Sequence, residues 1–358
     1  MFKVIQFFSV FSICRIIAAN LRIMENNLEQ EETPQYKMET PPSPISLRPN
    51  REQSPIAVIA ICFGFFFLGN LLGSGIMLGL AKAYGLSLSD ILANINENSP
   101  IGTRNFMRGT LFLNHLFSFI LPAIATTVYV YKKLWVNYLR LDKKPALQSI
   151  LYGIVWFIVS FPLVQIVYQL NQKLHLPQWM LNLETDTSHL LEGIIAQNNF
   201  YEIVVNICLI GVIPAIGEEM VFRGIVQQQI GRLLKNEHVV VWISAAIFSA
   251  IHIQFQGFFA RMLLGALLGY LFVWTKNLWV SMILHLLNNS LQVIGIYALN
   301  IKPSEMDKMT DADKIPFWLG GLSLIASVML GIYIQKIHQK VESNAKKADY
   351  TEGGMESV

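Results

Sequence analysis

The chain has 358 residues, of which 53% are hydrophobic and 14% charged, whereas ordinary soluble domains carry roughly 25% charged residues. This composition predicts an integral membrane protein. The net charge is only +3, and no basic run with interleaved aromatics is present, so nucleic acid is excluded as a partner. The cysteines Cys14, Cys62 and Cys208 lie in apolar stretches without CxxC spacing, which excludes a disulfide framework.

Residues 1–53 are predicted to form an N-terminal tail that is largely disordered. Its first 20 residues are weakly hydrophobic, interrupted by Arg15 and too short to span a bilayer comfortably. Met24 opens a polar, acidic, proline-bearing stretch. Two interpretations stay open: a true start at Met24 instead of Met1, or a weak amphipathic or signal-like segment.

Beyond the tail, apolar runs begin at about 55, 108, 148, 201, 238, 258, 278 and 315. Because each is near the roughly 20 residues that a bilayer helix needs and lacks period-2 alternation, we predict an all-α bundle of about eight transmembrane helices. The predicted segments are N-terminal transmembrane helices with an interfacial segment in 54–200, a second membrane domain in 201–300, the last span in 301–336 and a charged cytoplasmic tail in 337–358.

The orientation follows from lysine and arginine in the short loops. The stretch 86–103 lacks both residue types, whereas the loop after the second span is basic, with Lys132, Lys133, Arg140, Lys143 and Lys144. That loop is therefore predicted to be cytoplasmic, and an even number of spans places both termini there too. Without a convincing cleavable signal, we expect a bacterial inner membrane. The stretch 171–200 would lie outside and could hold an interfacial helix.

Two pairs of glycines have the small-xxx-small spacing that allows membrane helices to approach closely. These pairs are Gly69 with Gly73 and Gly265 with Gly269. We interpret them as helix-packing positions and attach no function to them.

Ionisable groups within apolar runs cost several kcal/mol unless they are paired or functional. In the second half of the chain they are few: Glu218, Glu219, Arg223, His252 and His285, with Asn288 and Asn289 beside the last. Glu219 and Arg223 are four residues apart, the spacing of an ion pair on one helix face, and Glu218 is rotated about 100° away from it. Two adjacent membrane glutamates therefore point to function rather than packing.

The polar groups also lie at similar depth. Counted at 1.5 Å per residue, Glu218 lies about 21 Å from Arg232, His252 about 22 Å from Glu237, and Asn289 about 20 Å from Lys276. His285 is one turn nearer the cytoplasm, while His115 in the second span is interpreted as a helix-packing residue.

A shared buried cavity lined by a carboxylate and imidazoles suits peptide hydrolysis, because it offers a base for water and a donor or metal for the oxyanion. Glu218, His252 and His285 would also form a plausible zinc ligand set, although no HExxH motif is present.

At these residues the chain resembles the CPBP family, which contains the type II CAAX prenyl endopeptidases and the bacterial Abi-type proteins. The resemblance covers roughly residues 200–295. Three family motifs occur in order: EExxxR at Glu218, Glu219 and Arg223, FxxxH at Phe248 and His252, and HxxxN at His285 and Asn289.

The resemblance implies an intramembrane metalloendopeptidase that acts on CAAX-type, lipidated or other membrane-associated peptides. It assigns water activation to Glu218 with His252, oxyanion stabilisation to His285 with Asn289, and a supporting pair to Glu219 with Arg223. Zinc is one expected cofactor, and a metal-independent glutamate protease is the alternative.

Two other classes of function use the same buried polar cluster. A transporter or channel could relay protons or bind an ion there, although two matching halves with broken helices are not evident. A non-catalytic Abi-type immunity or scaffold protein would have no need of buried charges.

Overall fold

The computed structural model describes residues 53–196, 199–299 and 315–353. Within these ranges the chain is helical and contains no strand, as predicted. The helices are, in chain order, α1 (Pro55–Ala83), α2 (Leu88–Asn94), α3 (Ile101–Tyr138), α4 (Leu147–Asn171), α5 (Gln178–Ile195), α6 (Phe200–Leu233), α7 (Glu237–Ala250), α8 (Phe255–Thr275), α9 (Leu278–Ala298) and α10 (Phe317–Gly353).

Seven of the described helices are long and apolar enough to cross a membrane, against about eight predicted. The difference is α7, which has 14 residues and is therefore about 21 Å long, shorter than a hydrocarbon core of about 30 Å. It ends where Ile253 adopts a left-handed backbone with φ 52°. The apolar run from 238 is thus the short arm of a hairpin with α8 rather than a full span.

The start of α8, directly after the loop from α7, is held by one side chain of α4. The Asn171 amide donates to the Phe255 carbonyl at 3.0 Å, and its oxygen accepts from the Phe259 amide at 2.9 Å. Ser249 donates to the Phe258 carbonyl at 2.7 Å. These bonds satisfy backbone groups that lipid cannot, so the hairpin turn is fixed within the bundle.

Both small-xxx-small pairs lie at close helix contacts, which confirms their predicted packing role. A Cβ added at Gly69 of α1 would lie 1.8 Å from the Phe117 carbonyl oxygen, and one at Gly73 would lie 3.2 Å from Phe117 Cβ. In α8, a Cβ at Gly269 would meet Gln227 Oε1 at 2.9 Å. Gly69 thus lets two helix backbones approach, and Gly73 and Gly269 make room for side chains of the neighbouring helices.

The segment predicted as interfacial contains α5, an 18-residue helix outside the seven candidate spans. Its position relative to a lipid surface stays a prediction, as do the domain boundaries and the orientation. The interpretations of residues 1–20 and of the rest of the tail up to residue 52 fall outside the described residues. At the other end, α10 runs beyond the predicted limit of the last span, to Gly353.

Candidate active site

Among the described helices, α3 and α6 contain three short segments with π instead of α geometry near the predicted site residues. The π segments are Leu116–Ile120 in α3 and Ile207–Val212 and Phe222–Gln227 in α6. The last two flank Glu218, and the first packs on Gly217, where an added Cβ would lie 2.9 Å from Phe119 Cβ. Single-turn π segments are frequent at functional sites because they redirect side chains within a helix.

Glu219 is fully buried and is the acceptor around which the site is built. Its Oε1 accepts from Arg223 Nη1 at 2.5 Å and from His285 Nδ1 at 2.8 Å. The ion pair predicted from i, i+4 spacing is therefore present. Because a buried carboxylate is stable only when its charge is paired, Arg223 stabilises Glu219 in the position where it orients His285.

Arg223 in turn is held by two neighbours of different kinds. Its Nη2 donates to the Gly265 carbonyl of α8 at 2.8 Å, and its guanidinium lies 4.7 Å over the centre of the Phe248 ring. A Cβ on Gly265 would come within 3.1 Å of Phe248 Cδ1. The small residue in α8 thus lets the arginine and the aromatic ring fit between the helices.

His252 and His285 present the same ring nitrogen toward Glu218. The Nδ1 of His252 lies 2.8 Å from the Phe248 carbonyl. Because a carbonyl oxygen can only accept, this nitrogen carries the hydrogen, and a neutral ring has its lone pair at Nε2. His285 is fixed in the same way, since its Nδ1 is directed at the Glu219 carboxylate. The Phe248 ring contacts both imidazoles edge to face, at centroid distances of 4.9 and 5.9 Å.

Glu218 is the fourth member of the cluster, and it lies near both histidines without a direct hydrogen bond to either. Its Oε2 lies 3.8 Å from His252 Nε2 and 3.8 Å from His285 Nε2. These distances are too long for direct hydrogen bonds. Within the described part of the chain, no hydrogen bond reaches this carboxylate, although its side chain is only 6% exposed. One oxygen of a buried carboxylate therefore faces two imidazole nitrogens, and a water molecule to the side of these three atoms could hydrogen-bond to them.

Asn289 lies one turn beyond His285 on α9, but its amide is engaged elsewhere. Its Nδ2 donates to the Ile210 carbonyl in a π segment of α6 at 3.0 Å, and its Oδ1 accepts from Asn288 at 3.1 Å. The structure thus brings together the two glutamates and the two histidines, while Asn289 links α9 to α6 beside them.

Two charged or polar residues outside the motifs also act on this cluster. His115, interpreted from the sequence as a packing residue, does pack on Phe119 at a centroid distance of 5.6 Å, and it also interacts electrostatically with His285 and His252. Arg261 interacts electrostatically with Glu218 and His252. The sequence prediction missed Arg261, although a charge within the apolar run FFARMLL was a signal for it.

Zinc has suitable donor chemistry here but not a suitable arrangement. Donors bound at 2.0 to 2.1 Å around a tetrahedral zinc lie about 3.3 to 3.5 Å apart, whereas the Glu218 oxygen lies 3.8 Å from each imidazole nitrogen. Among the residues that the structure describes, no group of three His, Cys, Asp or Glu side chains could hold a metal ion. The residues as placed do not form a zinc site.

Fold and site together define a polytopic membrane protein in which a buried carboxylate faces two oriented imidazoles. Residues 200–291 match the family model "Type II CAAX prenyl endopeptidase Rce1-like", nearly the same segment as the predicted resemblance. This match, which covers about a quarter of the chain, is consistent with the predicted resemblance to the CPBP family. The family is one of membrane endopeptidases.

Two relatives cover a similar part of the chain. The "Membrane-embedded CAAX protease MroQ" of Staphylococcus aureus (strain USA300) is 30% identical over 167 residues, which are 45% of this chain and 64% of that protein. The "Uncharacterized protein YpbD" of Bacillus subtilis (strain 168) is 24% identical over 163 residues, which are 44% of this chain and 77% of that protein. No solved structure matches the chain significantly.

Proposed function

We propose that this chain is an intramembrane endopeptidase that hydrolyses a peptide bond of a membrane-associated substrate with a water molecule activated by Glu218 and His252. One observation carries the proposal: a single Glu218 oxygen lies 3.8 Å from the Nε2 atoms of two oriented histidines. A water molecule in hydrogen-bond contact with that oxygen would also lie within reach of the imidazoles.

In the proposed reaction, Glu218 takes a proton from the water, and the hydroxide attacks the carbonyl carbon of the scissile bond. The lone pair at Nε2 of His252 accepts the second water hydrogen and orients the nucleophile. When the tetrahedral intermediate collapses, the carboxylic acid of Glu218 returns the proton to the leaving amine. His252 is held for this step by the bond from its Nδ1 to the Phe248 carbonyl, and such preorganisation favours catalysis.

The oxyanion would be stabilised by His285 with Asn289. His285 can donate from Nε2 only as the imidazolium, because its Nδ1 hydrogen is directed at Glu219. The Glu219 carboxylate would stabilise that charge, in the way that a buried aspartate supports the histidine of a serine protease. Asn289 has a second amide hydrogen in addition to the one donated to Ile210.

We further propose that the substrate is a CAAX-type, lipidated or other membrane-associated peptide, with the cell membrane of a bacterium as the location and both termini cytoplasmic. Support comes from the match of residues 200–291 and from the description of MroQ as a membrane-embedded CAAX protease. Zinc stays an alternative to the metal-independent reaction, and a chelator separates the two.

The test is cleavage of a farnesylated CaaX peptide by detergent-purified protein, in the wild type and in Glu218→Gln, with and without phenanthroline. We expect Glu218→Gln to lower the rate roughly a hundredfold or more, because it removes the general base while conserving shape. Chelator sensitivity would favour zinc.

Glu97→Gln makes the same chemical change in the loop after α2 and is the matched control, expected to cleave at the wild-type rate. Equal cleavage by wild type and Glu218→Gln would contradict the assigned base. Absence of cleavage by the wild type would count against a prenylated substrate and shift weight to transport or a scaffold role.

A further inference from the structure

The basic loop between α3 and α4 is bound to the turn between α8 and α9, far along the chain. Three carbonyls of the loop accept hydrogen bonds from three consecutive residues of the turn: that of Arg140 from the Leu278 amide at 3.2 Å, that of Leu141 from Trp279 Nε1 at 3.1 Å and that of Lys143 from Asn277 Nδ2 at 2.8 Å. Because each bond ends on a backbone oxygen, the bonds fix the loop without using its charged side chains.

Arg140 is held in a backbone conformation that an arginine rarely adopts. Its φ is 59°, in the left-handed region that is unfavourable for residues with a side chain. Lys276, in the turn that the loop contacts, is left-handed as well, with φ 51°. Such conformations persist only where the surrounding structure imposes them, and they are frequent at functional sites. Here the bond to the Leu278 amide imposes it, so the position of Arg140 is set by the start of α9.

Two cations of this fixed loop have no anionic partner. Among the described residues, no carboxylate lies within 4.0 Å of the side-chain nitrogens of Arg140 or Lys143, and neither side chain donates a hydrogen bond. This includes Asp142, which lies between them in the sequence. Lys276 differs, because its Nζ lies 2.6 Å from Glu342 of α10. Arg140 is half-buried and Lys143 is exposed, so an anion from outside the protein can reach both.

The loop lies at the end of two helices long and apolar enough to span a membrane, beside an exposed tryptophan. Since α3 ends at Tyr138 and α9 begins at Leu278, the loop lies where the lipid headgroups of a bilayer are expected. Trp279 is 40% exposed, although its Nε1 is bonded to the loop. Tryptophan is frequent at membrane–water interfaces because its ring is apolar and its N–H polar. An anchored ring beside two unpaired cations therefore suits a lipid better than a soluble anion.

We propose that Arg140, Lys143 and Trp279 form a binding site for the headgroup of an anionic phospholipid. The planar guanidinium of Arg140 binds two phosphate oxygens at once, and Lys143 supplies a second positive charge. Three residues of chain span at most about 10 Å, so both cations can reach one phosphodiester group. Two cations disfavour a headgroup with a positive charge of its own, such as choline, and favour a lipid with a net negative charge.

A lipid bound here would stabilise the start of the helix that carries His285. The loop packs directly on α6, because a Cβ added at Gly224 would lie 2.6 Å from Leu139 Cδ2 and 3.6 Å from Leu278 Cδ2. Gly224 follows Arg223 in the chain, so the loop, α6 and α9 meet beside the candidate active site. The site requires no cleavage activity, and it can be tested apart from the proposed function.

The experiment titrates fluorescently labelled phosphatidylglycerol or phosphatidylcholine into the detergent-purified protein. We expect the wild type to bind phosphatidylglycerol roughly tenfold more tightly, as for a charge-assisted contact that choline opposes. Arg140→Gln with Lys143→Gln should reduce that ratio to within about twofold. The matched control, Lys133→Gln with Lys235→Gln, removes the same charge from two other exposed lysines and should keep the ratio.

Three results would overturn the proposal. A wild type that binds both lipids equally has no site for an anionic headgroup. An equal loss of preference in the two double variants would assign the preference to diffuse surface charge. Displacement of the labelled lipid by inorganic phosphate, but not by chloride at equal ionic strength, would show a site for free phosphate instead of a lipid.

A second variant and a second readout keep the test decisive if Arg140→Gln does not fold. Lys143→Glu reverses the charge of one exposed side chain and should abolish the preference for phosphatidylglycerol. The unfolding temperature of the wild type should rise with phosphatidylglycerol and not with phosphatidylcholine, and that rise should be lost in Lys143→Glu. An equal rise in Lys143→Glu would place the lipid elsewhere on the protein and contradict the site.

Discussion

Two buried clusters of arginine and glutamate lie in the same bundle, and they differ in how many of their carboxylates are paired with an arginine. The first cluster joins α3 to α6, where Glu202 accepts from Arg104 at 2.8 Å and from Arg108 at 3.0 Å. The second cluster lies around Glu218 and Glu219, where Arg223 pairs with Glu219 alone. Two arginines thus pair with one glutamate in the first cluster, whereas in the second cluster one arginine pairs with one of two glutamates.

The remaining donors of the first cluster are directed mainly at the end of α5. Arg108 donates to the carbonyls of Ile194 at 3.1 Å and Ala196 at 2.6 Å, and to the Asn206 side chain at 3.1 Å. Asn206 donates in turn to the Ile195 carbonyl at 2.9 Å. These bonds satisfy carbonyl groups at a helix end that would otherwise be buried without partners, so the first cluster fastens α5 to the bundle.

This difference indicates that the first cluster stabilises the fold and that the second is arranged for a reaction. A buried charge is tolerated when it is paired: Glu202 accepts from two arginines, and Glu219 accepts from Arg223 and His285 through Oε1, while its Oε2 has no hydrogen-bond partner among the described residues. Glu218 carries the same desolvation penalty without a hydrogen bond from any described residue. A buried, unsaturated carboxylate facing two imidazoles is expected where function, rather than stability, sets the arrangement.

The largest stability effect is expected from Glu202→Ala, because it leaves two buried guanidinium groups without their carboxylate. Loss of one partner from a buried ion pair costs on the order of 3 to 5 kcal/mol. We expect strongly reduced yield and thermal stability of the purified protein, with cleavage per folded molecule near the wild-type value. Loss of specific activity with normal stability would show that the first cluster serves the chemistry.

Glu219→Ala is expected to have the next largest effect on stability and, unlike Glu202→Ala, to impair catalysis as well. It leaves Arg223 without its partner and removes the acceptor that orients His285. Protein levels and the specific activity of the remaining folded protein should therefore both fall, measured by yield, thermal unfolding and peptide cleavage. Normal abundance and activity would contradict the assigned ion pair.

Part of this arrangement could be predicted because it depends on spacing within single helices. The pair of Glu219 with Arg223 follows from a separation of four residues, and the similar depth of Glu218 and His252 follows from counting residues from charged loops. The same count matched Asn289 to that depth, whereas it is His285 that faces Glu218 together with His252. The apolar runs likewise predicted the membrane helices, since lipid leaves few alternatives for a backbone.

The remainder depends on contacts and local geometry that no short sequence pattern encodes. Arg108 and Glu202 are 94 residues apart, and their pairing requires knowing which helices are neighbours. The early end of α7 arises from a left-handed residue at Ile253, which apolar composition does not indicate. The π segments and the bond from Asn289 to the Ile210 carbonyl also depend on tertiary packing.

The smallest effect is expected from a methyl group added beside the second cluster. In Gly265→Ala the new Cβ would lie 3.1 Å from Phe248 Cδ1 and 3.4 Å from Arg223 Nη2. Such crowding typically costs about 1 to 3 kcal/mol and should shift the ring that contacts both imidazoles, so we expect a modest loss of stability and a several-fold loss of kcat.

Gly109→Ala is the matched control next to Arg108 of the first cluster, because an added Cβ there has no atom within 4 Å. Its cleavage rate should equal that of the wild type. If Gly265→Ala lost stability without any change in kcat, Phe248 would be only a packing residue, and the second cluster would hold its histidines without that ring.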